Sequence, residues 1–190
     1  MAEGSADAGP SVAVPTGAGW GGQPEEDSPL RLRGWLARSA LIVGIGNGAR
    51  GDDAVGGLLA DRIRAWQRAH APDANWRILS DDQLHLEHIQ DLQGRELVLF
   101  LDAMVDVADG PEGLVGCRRV SAGAAGMSAS AFLSHHLTPE ALIGIAEALE
   151  VPLPAQVWLV SVRGDRFELG ASLTPKAQHG VELALRGLLG

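Results

Sequence analysis

Cysteine, lysine and long apolar runs are scarce in this sequence. Its 190 residues include a single cysteine, Cys117, which excludes an internal disulfide and fits a reducing compartment, so we expect a cytoplasmic protein. No apolar run approaches the roughly 18 residues of a membrane span. The first residues lack the basic region and apolar core of a signal peptide, so we expect none.

Positive charge is also scarce, and Lys176 is the only lysine. The formal net charge is -9, and no run of basic residues lies beside aromatic ones. A chain this acidic does not favour nucleic acid or a membrane surface as its partner. We expect the protein to be a monomer.

The length suits one domain with a sizeable core, preceded by a tail. Residues 1–37 are rich in Gly, Pro, Ala, Ser and Glu and show no hydrophobic periodicity. We interpret them as a disordered N-terminal tail, and residues 38–190 as the folded domain.

The most informative stretch is Leu41-Ile-Val-Gly-Ile-Gly-Asn-Gly-Ala-Arg-Gly-Asp-Asp53. Its apolar start predicts a buried strand, and its glycines predict a tight turn. Apolar residues at helical spacing follow Asp53, so the spacing predicts a helix over 53–69. Ligand sites in open α/β sheets lie where a strand gives way to such a turn.

Further strands and helices alternate along the rest of the chain. This alternation predicts a mainly parallel sheet covered by helices on both faces. The predicted strands are 40–45, 76–79, 96–102, 113–120 at an edge, and 157–162; the further predicted helices are 83–93, 138–150 and 174–190.

The glycine turn fits the loose dinucleotide-binding pattern G-x-G-x-x-A over Gly44–Ala49. In that motif the start of the helix faces a pyrophosphate, which the carboxylates of Asp52 and Asp53 would repel. The nearest acids at a later strand end, Asp81 and Asp82, also lie about 30 residues on instead of about 20. Dinucleotide binding is therefore the weaker reading.

A second strand-end acid, Asp102, and a pair of histidines offer different chemistry. The carboxyl ends of parallel strands converge, so Asp53 and Asp102 are expected to face one cleft. His135 and His136 stand just before a helix start at Thr138-Pro139. Two carboxylates and one imidazole suit a divalent metal such as nickel or zinc and leave coordination positions open.

Another histidine pair, His85 and His88, lies on the predicted helix 83–93. Their spacing places both rings on one helix face, where they would form either a zinc site or part of a solvated surface. We favour the solvated surface.

Taken together, the runs GIGNGARGDDAVG, LFLDA and SHHLTPEAL resemble the nickel–iron hydrogenase maturation endopeptidases in order and spacing. The resemblance covers roughly residues 39–190. It implies a three-layer α/β/α sandwich with a five-stranded twisted sheet. It also implies removal of a C-terminal extension from the hydrogenase large-subunit precursor once nickel has been inserted.

The resemblance further implies which residues contact the metal and catalyse cleavage. Carried over by motif, they are Asp53, Asp102 and His135, and the spacing His-x-Leu favours His135 over His136. Asp52 is then expected to cap the following helix. The nickel is carried by the substrate, so no cofactor is tightly bound to the protease. A non-catalytic nickel-binding maturation chaperone remains the alternative function.

Overall fold

The computed structural model describes residues 31–107, 113–122 and 137–190. His135 and His136, and most of the N-terminal tail, lie outside these ranges. Within them, no helix combines the length and the apolar character needed to cross a membrane.

A five-stranded sheet forms the centre of the described chain, in the order β2-β1-β3-β5-β4. Four strands are parallel, and β4 joins the edge of the sheet antiparallel to β5. This confirms the predicted mainly parallel sheet and the edge position of the fourth strand. The strands are β1 Ala40–Ile45, β2 Trp76–Asp81, β3 Leu97–Met104, β4 Val115–Arg119 and β5 Gln156–Arg163.

Helices cover both faces of the sheet, as a three-layer α/β/α sandwich requires. They are α1 Val55–His70, α2 His88–Leu92, α3 Pro139–Ala148 and α4 Pro175–Leu189. Apolar residues of α1 and α4 share one core cluster with alternate residues of β1 and β3, such as Ile42 and Leu99. Residues of α2 and α3 share the other cluster with the intervening strand residues, such as Val43 and Phe100. A buried parallel sheet has this division because successive side chains point to opposite faces.

Both Thr-Pro helix starts form as predicted. The Thr138 hydroxyl accepts a hydrogen bond from Ala141 N at 3.2 Å, and the Thr174 hydroxyl accepts one from Ala177 N at 3.1 Å. Each caps an N–H that the helix leaves unpaired, with proline in the first turn.

The last residues of the predicted disordered tail are folded. Residues Leu32–Trp35 form a 3₁₀ helix, and Leu32 is fully buried in the core. The Trp35 carbonyl accepts a hydrogen bond from Trp76 Nε1 at 3.0 Å, and Arg33 Nε donates to the Leu189 carbonyl at 2.9 Å. A segment this short shows too little periodicity to be recognised before its partners are known.

The prediction of a helix over 83–93 is also wrong for its first half. Helix α2 begins only at His88, and Leu84 instead forms an isolated antiparallel bridge with Leu137. Leu86 is 52% exposed, whereas Ile89 is buried. Tertiary pairing with the segment before α3 has overridden the local helical pattern.

The sheet order places a topological switch beside β1. From β1 the chain passes through α1 to β2 on one side, and then crosses to β3 on the other side of β1. Helices leave to opposite faces at such a point and open a crevice beyond the carboxyl ends of the strands. Asp53 follows β1 and Asp102 lies near the end of β3, so the topology brings both predicted acids to this crevice.

Candidate functional site

Asp53 lies in a 3₁₀ turn, Gly51–Ala54, that leads into α1. Its Oδ2 accepts a hydrogen bond from the backbone N–H of Asn47 at 3.0 Å. Gly46 has φ of 124°, and a Cβ there would lie 2.0 Å from the Asp53 carbonyl oxygen. Only glycine allows this approach, so Gly46 lets the turn fold back onto Asp53.

Close packing also fixes where α1 begins. A Cβ on Gly56 would lie 2.1 Å from the Ile45 carbonyl oxygen and 2.4 Å from that of Leu101. The first turn of α1 therefore rests directly on the backbones of β1 and β3. This contact holds the preceding turn, with Asp53, above the gap between those two strands.

Asp102 lies in β3, opposite Ser161 of β5, and is half-buried. Burial raises the pKa of Asp102 to about 7, against a hydrogen bond from Ala103 N that lowers it, and the charge of Asp53 raises it further. Water cannot fully solvate the ionised form there, and a second negative charge opposes it. The charge of Asp53 thus acts on the Asp102 carboxyl group across the crevice.

Asp52, the neighbour of Asp53, has a different role from the expected helix cap. It is fully buried and makes no capping hydrogen bond to α1. Its carboxylate instead accepts hydrogen bonds from the N–H groups of Asp165, Arg166 and Thr174, and from the Thr174 hydroxyl. Burial opposes ionisation, but these hydrogen bonds outweigh it and lower the pKa of Asp52. Asp52 thus fastens the loop after β5 to the glycine turn.

The fastened loop contributes to a cleft of about 510 Å³ beside Asp53. Residues of the glycine turn, the end of β2 and the loop after β5 line it: Asn47, Arg50, Asp53, Asp82, Gln83 and Phe167. Sequence reasoning missed Asn47, Arg50 and Phe167 as site residues. Asn47 and Arg50 lie inside the motif already singled out, whereas nothing in the local sequence marks Phe167, which arrives through the contacts of Asp52.

The predicted histidine ligands, His135 and His136, lie outside the described residues, so their position relative to Asp53 and Asp102 stays a prediction. The next residue, Leu137, pairs with Leu84, which follows the cleft residue Gln83. Within the described ranges, no group of three or more His, Cys, Asp or Glu side chains is arranged to hold a metal ion.

The other histidine pair is not the solvated helix face that we favoured. His88 is buried, its ring stacks on that of His85 with centroids 5.9 Å apart, and its Nδ1 accepts a hydrogen bond from His85 N at 2.9 Å. Both imidazoles lie near the Asp81 carboxylate, at 3.9 Å for His85 and 3.8 Å for His88. The pair anchors the loop between β2 and α2.

The geometry of the glycine turn also disfavours a dinucleotide. The Asn47 N–H, which a phosphate would need in this motif, donates to Asp53. Carboxylates of Asp53 and Asp82 line the same cleft, so a polyphosphate would meet negative charge there.

The fold and the site thus define a class of protein: an α/β/α sandwich with two acids, Asp53 and Asp102, at its topological switch. No protein-family model and no curated protein sequence matches this chain. The hydrogenase maturating endopeptidase HybD from E. coli has a similar structure, with a TM-score of 0.56, 22% identity, and coverage of 78% of this chain and 88% of HybD.

Two further solved structures share the fold. The NiFe hydrogenase maturation protease HycI from Thermococcus kodakarensis KOD1 gives a TM-score of 0.57 at 19% identity, covering 79% of this chain and 90% of HycI. A hydrogenase 3 maturation protease gives a TM-score of 0.52 at 23% identity, covering 82% of this chain and 92% of that protein. These matches confirm, at the level of the fold, the resemblance to hydrogenase maturation endopeptidases.

Proposed function

We propose that this protein is an endopeptidase that removes the C-terminal extension of a nickel–iron hydrogenase large-subunit precursor after nickel insertion. The observation that carries the proposal is the juxtaposition of Asp53 with Asp102, whose pKa is raised to about 7, at the topological switch. The solved proteins that share the fold are named for this activity, and the motif resemblance independently points to the same activity.

In this proposal, Asp53 and Asp102 grip the nickel that the precursor carries, together with His135. Asp53 is suited to this task because only its Oδ2 is held by a described partner, the Asn47 N–H, and its other oxygen remains available. Nickel is here part of the substrate, and its presence reports that the precursor is ready for cleavage. Recognition through the metal therefore makes processing conditional on nickel loading.

The environment of Asp102 makes it suited to a site that receives a cation. An ionised carboxylate that burial and a neighbouring negative charge destabilise is relieved when a cation arrives. Because a protonated carboxyl group does not bind a cation, we expect processing to slow as the pH falls below about 7, the value to which the pKa of Asp102 is raised. A carboxylate oxygen of Asp102 that does not contact the metal is also suited to accept a proton from the attacking water.

The cleft beside Asp53 supplies the surroundings that a peptide needs. Phe167 offers an apolar wall, and Arg50 offers a cation, in a space of about 510 Å³. A segment of a few residues fits such a volume. We propose that the chain around the scissile bond lies here, next to the metal-binding acids.

Mass spectrometry of a nickel-loaded precursor, before and after incubation with the protein, tests this function. An endopeptidase releases the extension, so the mass of the nickel-loaded precursor falls by the mass of the extension. A nickel-free precursor stays intact. A nickel-binding chaperone would bind the precursor and leave its mass unchanged.

A further inference from the structure

Asn47 stands at the centre of the site, and all of its polar groups are engaged. Its N–H donates to Asp53 Oδ2 at 3.0 Å, and its carbonyl accepts from Arg50 N at 3.0 Å. Its side-chain Oδ1 accepts from Ala49 N at 2.8 Å, and its Nδ2 donates to Asp82 Oδ2 at 3.1 Å. The orientation of this single residue therefore fixes where the Asp53 carboxylate is held.

The two side-chain hydrogen bonds of Asn47 use the two different polar atoms of its amide group, Oδ1 and Nδ2. The bond to Ala49 N closes a turn within the glycine loop, a common role for asparagine. The bond to Asp82 links that loop to the segment that follows β2, and the Asp81 carbonyl accepts a parallel bond from Gly46 N at 3.0 Å. The glycine loop is thereby tied to the end of β2 on one side and to Asp53 on the other.

From this geometry we propose that Asp82 is a positioning residue that acts through Asn47 to orient Asp53. The inference rests on the proposed function, because Asp53 must bind the substrate's nickel for its orientation to matter. Because Asp82 accepts a hydrogen bond from Asn47 Nδ2, the Asn47 side chain is held in one orientation. The backbone at Asn47 is then held so that its N–H points at Asp53 Oδ2. Groups that orient a metal ligand through such a hydrogen bond tune its affinity and activity.

The link makes a specific demand on residue 82, which must accept a hydrogen bond but need not be charged. Asp82→Asn retains a carbonyl oxygen that accepts from Asn47 Nδ2, whereas Asp82→Ala leaves Nδ2 without this acceptor. Asp81→Asn is the matched control for charge, because Asp81 lies at the same end of β2 and makes no described contact with Asn47. Its carboxylate accepts a hydrogen bond of 2.8 Å from Asp82 N and lies near His85 and His88, and Asp81→Asn retains an oxygen that can accept from Asp82 N.

Kinetics of precursor cleavage and amide hydrogen exchange together test the link. For Asp82→Ala we expect kcat to fall about tenfold, the lower end of the range for groups that orient a metal ligand, because this hydrogen bond is exposed. KM should rise because Asp53 also binds the precursor's nickel, and the melting temperature should be unchanged. Asp82→Asn should recover most of the lost kcat, and Asp81→Asn should match the wild type. In the same series, exchange of the Asn47 amide proton should accelerate about tenfold in Asp82→Ala alone, because its bond to Asp53 opens more often.

Two results would overturn the inference: equal loss of kcat in Asp82→Asn and Asp82→Ala, or an Asn47 amide whose exchange is unchanged in Asp82→Ala. A wild-type protein that leaves the nickel-loaded precursor intact would refute the proposed function instead. The exchange measurement would still decide whether Asp82 positions Asn47, because it needs no substrate.

Discussion

The hydroxyl of Thr174 donates a hydrogen bond of 3.0 Å to Oδ2 of Asp52 and at the same time accepts one of 3.1 Å from Ala177 N. One hydroxyl thus caps α4 and joins it to a buried carboxylate at the start of α1. The loop between β5 and α4 is held against the glycine turn by this junction, and with it Phe167 is brought to the cleft.

Substitution of Asp52 should therefore destabilise the fold. Asp52→Asn replaces one acceptor oxygen by a donor that faces N–H groups, so we expect a loss of about 2 to 4 kcal/mol in the free energy of unfolding at pH 7. Urea denaturation measures this loss. Glu168→Gln, which changes an exposed carboxylate in the same loop, is the control and should unfold much like the wild type.

The pH dependence of that loss follows from the lowered pKa of Asp52. The stability contributed by such an acid is fully present above its unfolded pKa and disappears as the pH falls through its folded pKa. The difference between wild type and Asp52→Asn should thus shrink on acidification below about pH 4. A difference that stayed constant to pH 2 would show that Asp52 is held by shape alone.

Asp102 should have the opposite effect on stability. Because its pKa is raised to about 7, the folded protein holds a proton that the unfolded chain releases near pH 4, and stability is lost as the pH rises between these values. Asp102→Asn should stabilise the protein increasingly over that window, by up to about 4 kcal/mol above pH 7. Thermal unfolding at pH 5 and pH 8 provides the comparison, with the exposed Asp106→Asn as control. An equal melting temperature for wild type and Asp102→Asn at pH 8 would refute this.

The segment before β1 should contribute to stability, although it lies within residues 1–37, which we interpreted as a disordered tail. Leu32→Ala removes a fully buried side chain, and we expect it to cost about 2 to 5 kcal/mol. Leu36→Ala, at a side chain that is 37% exposed, should cost much less. Equal chemical denaturation curves for the two variants would indicate that the 3₁₀ helix is not docked in solution.

The nickel in this account belongs to the precursor, so the isolated protein should retain little metal. Two carboxylates and one imidazole leave the coordination shell open, and the remaining ligands are expected from the substrate. Elemental analysis after dialysis should find much less than one equivalent of nickel or zinc. Stoichiometric zinc that resists dialysis would favour a self-contained metallohydrolase.

Much of the fold could be predicted from the sequence because its signals are local. Strand β1 is fully apolar and ends in glycines, and the caps Thr138 and Thr174 mark their helices without reference to other elements. The bridge between Leu84 and Leu137 was not predictable in this way, since its partners lie far apart in the chain. The burial of Leu32 in the core could not be predicted for the same reason.

The candidate site was predictable only in part. Asp53 and Asp102 stand out because Asp53 follows one recognisable strand and Asp102 lies near the end of another, and the sheet order brings both to one crevice. The different roles of Asp52 and Asp53 could not be predicted from the local sequence. Asp52 is buried by contacts with residues more than 100 positions away, and 122 positions separate it from Thr174. Phe167 enters the cleft through those same contacts.

Three substitutions address the shared role of the predicted metal-binding residues. Asp53→Asn and Asp102→Asn remove charge with little change of shape, and His135→Ala removes an imidazole, so each variant should remain folded by circular dichroism and fail to process nickel-loaded precursor. His136→Ala should retain most of the activity. An inactive His136→Ala beside an active His135→Ala would assign the metal contact to the other histidine.

Cleavage of nickel-loaded precursor by Asp102→Asn tests most directly whether the two acids act on one substrate metal. Asp102→Asn should be at least as stable as the wild type at pH 8 and should leave the precursor at its full mass under conditions in which the wild type processes it completely. Removal of the extension by Asp102→Asn at a rate near that of the wild type would contradict the shared metal site.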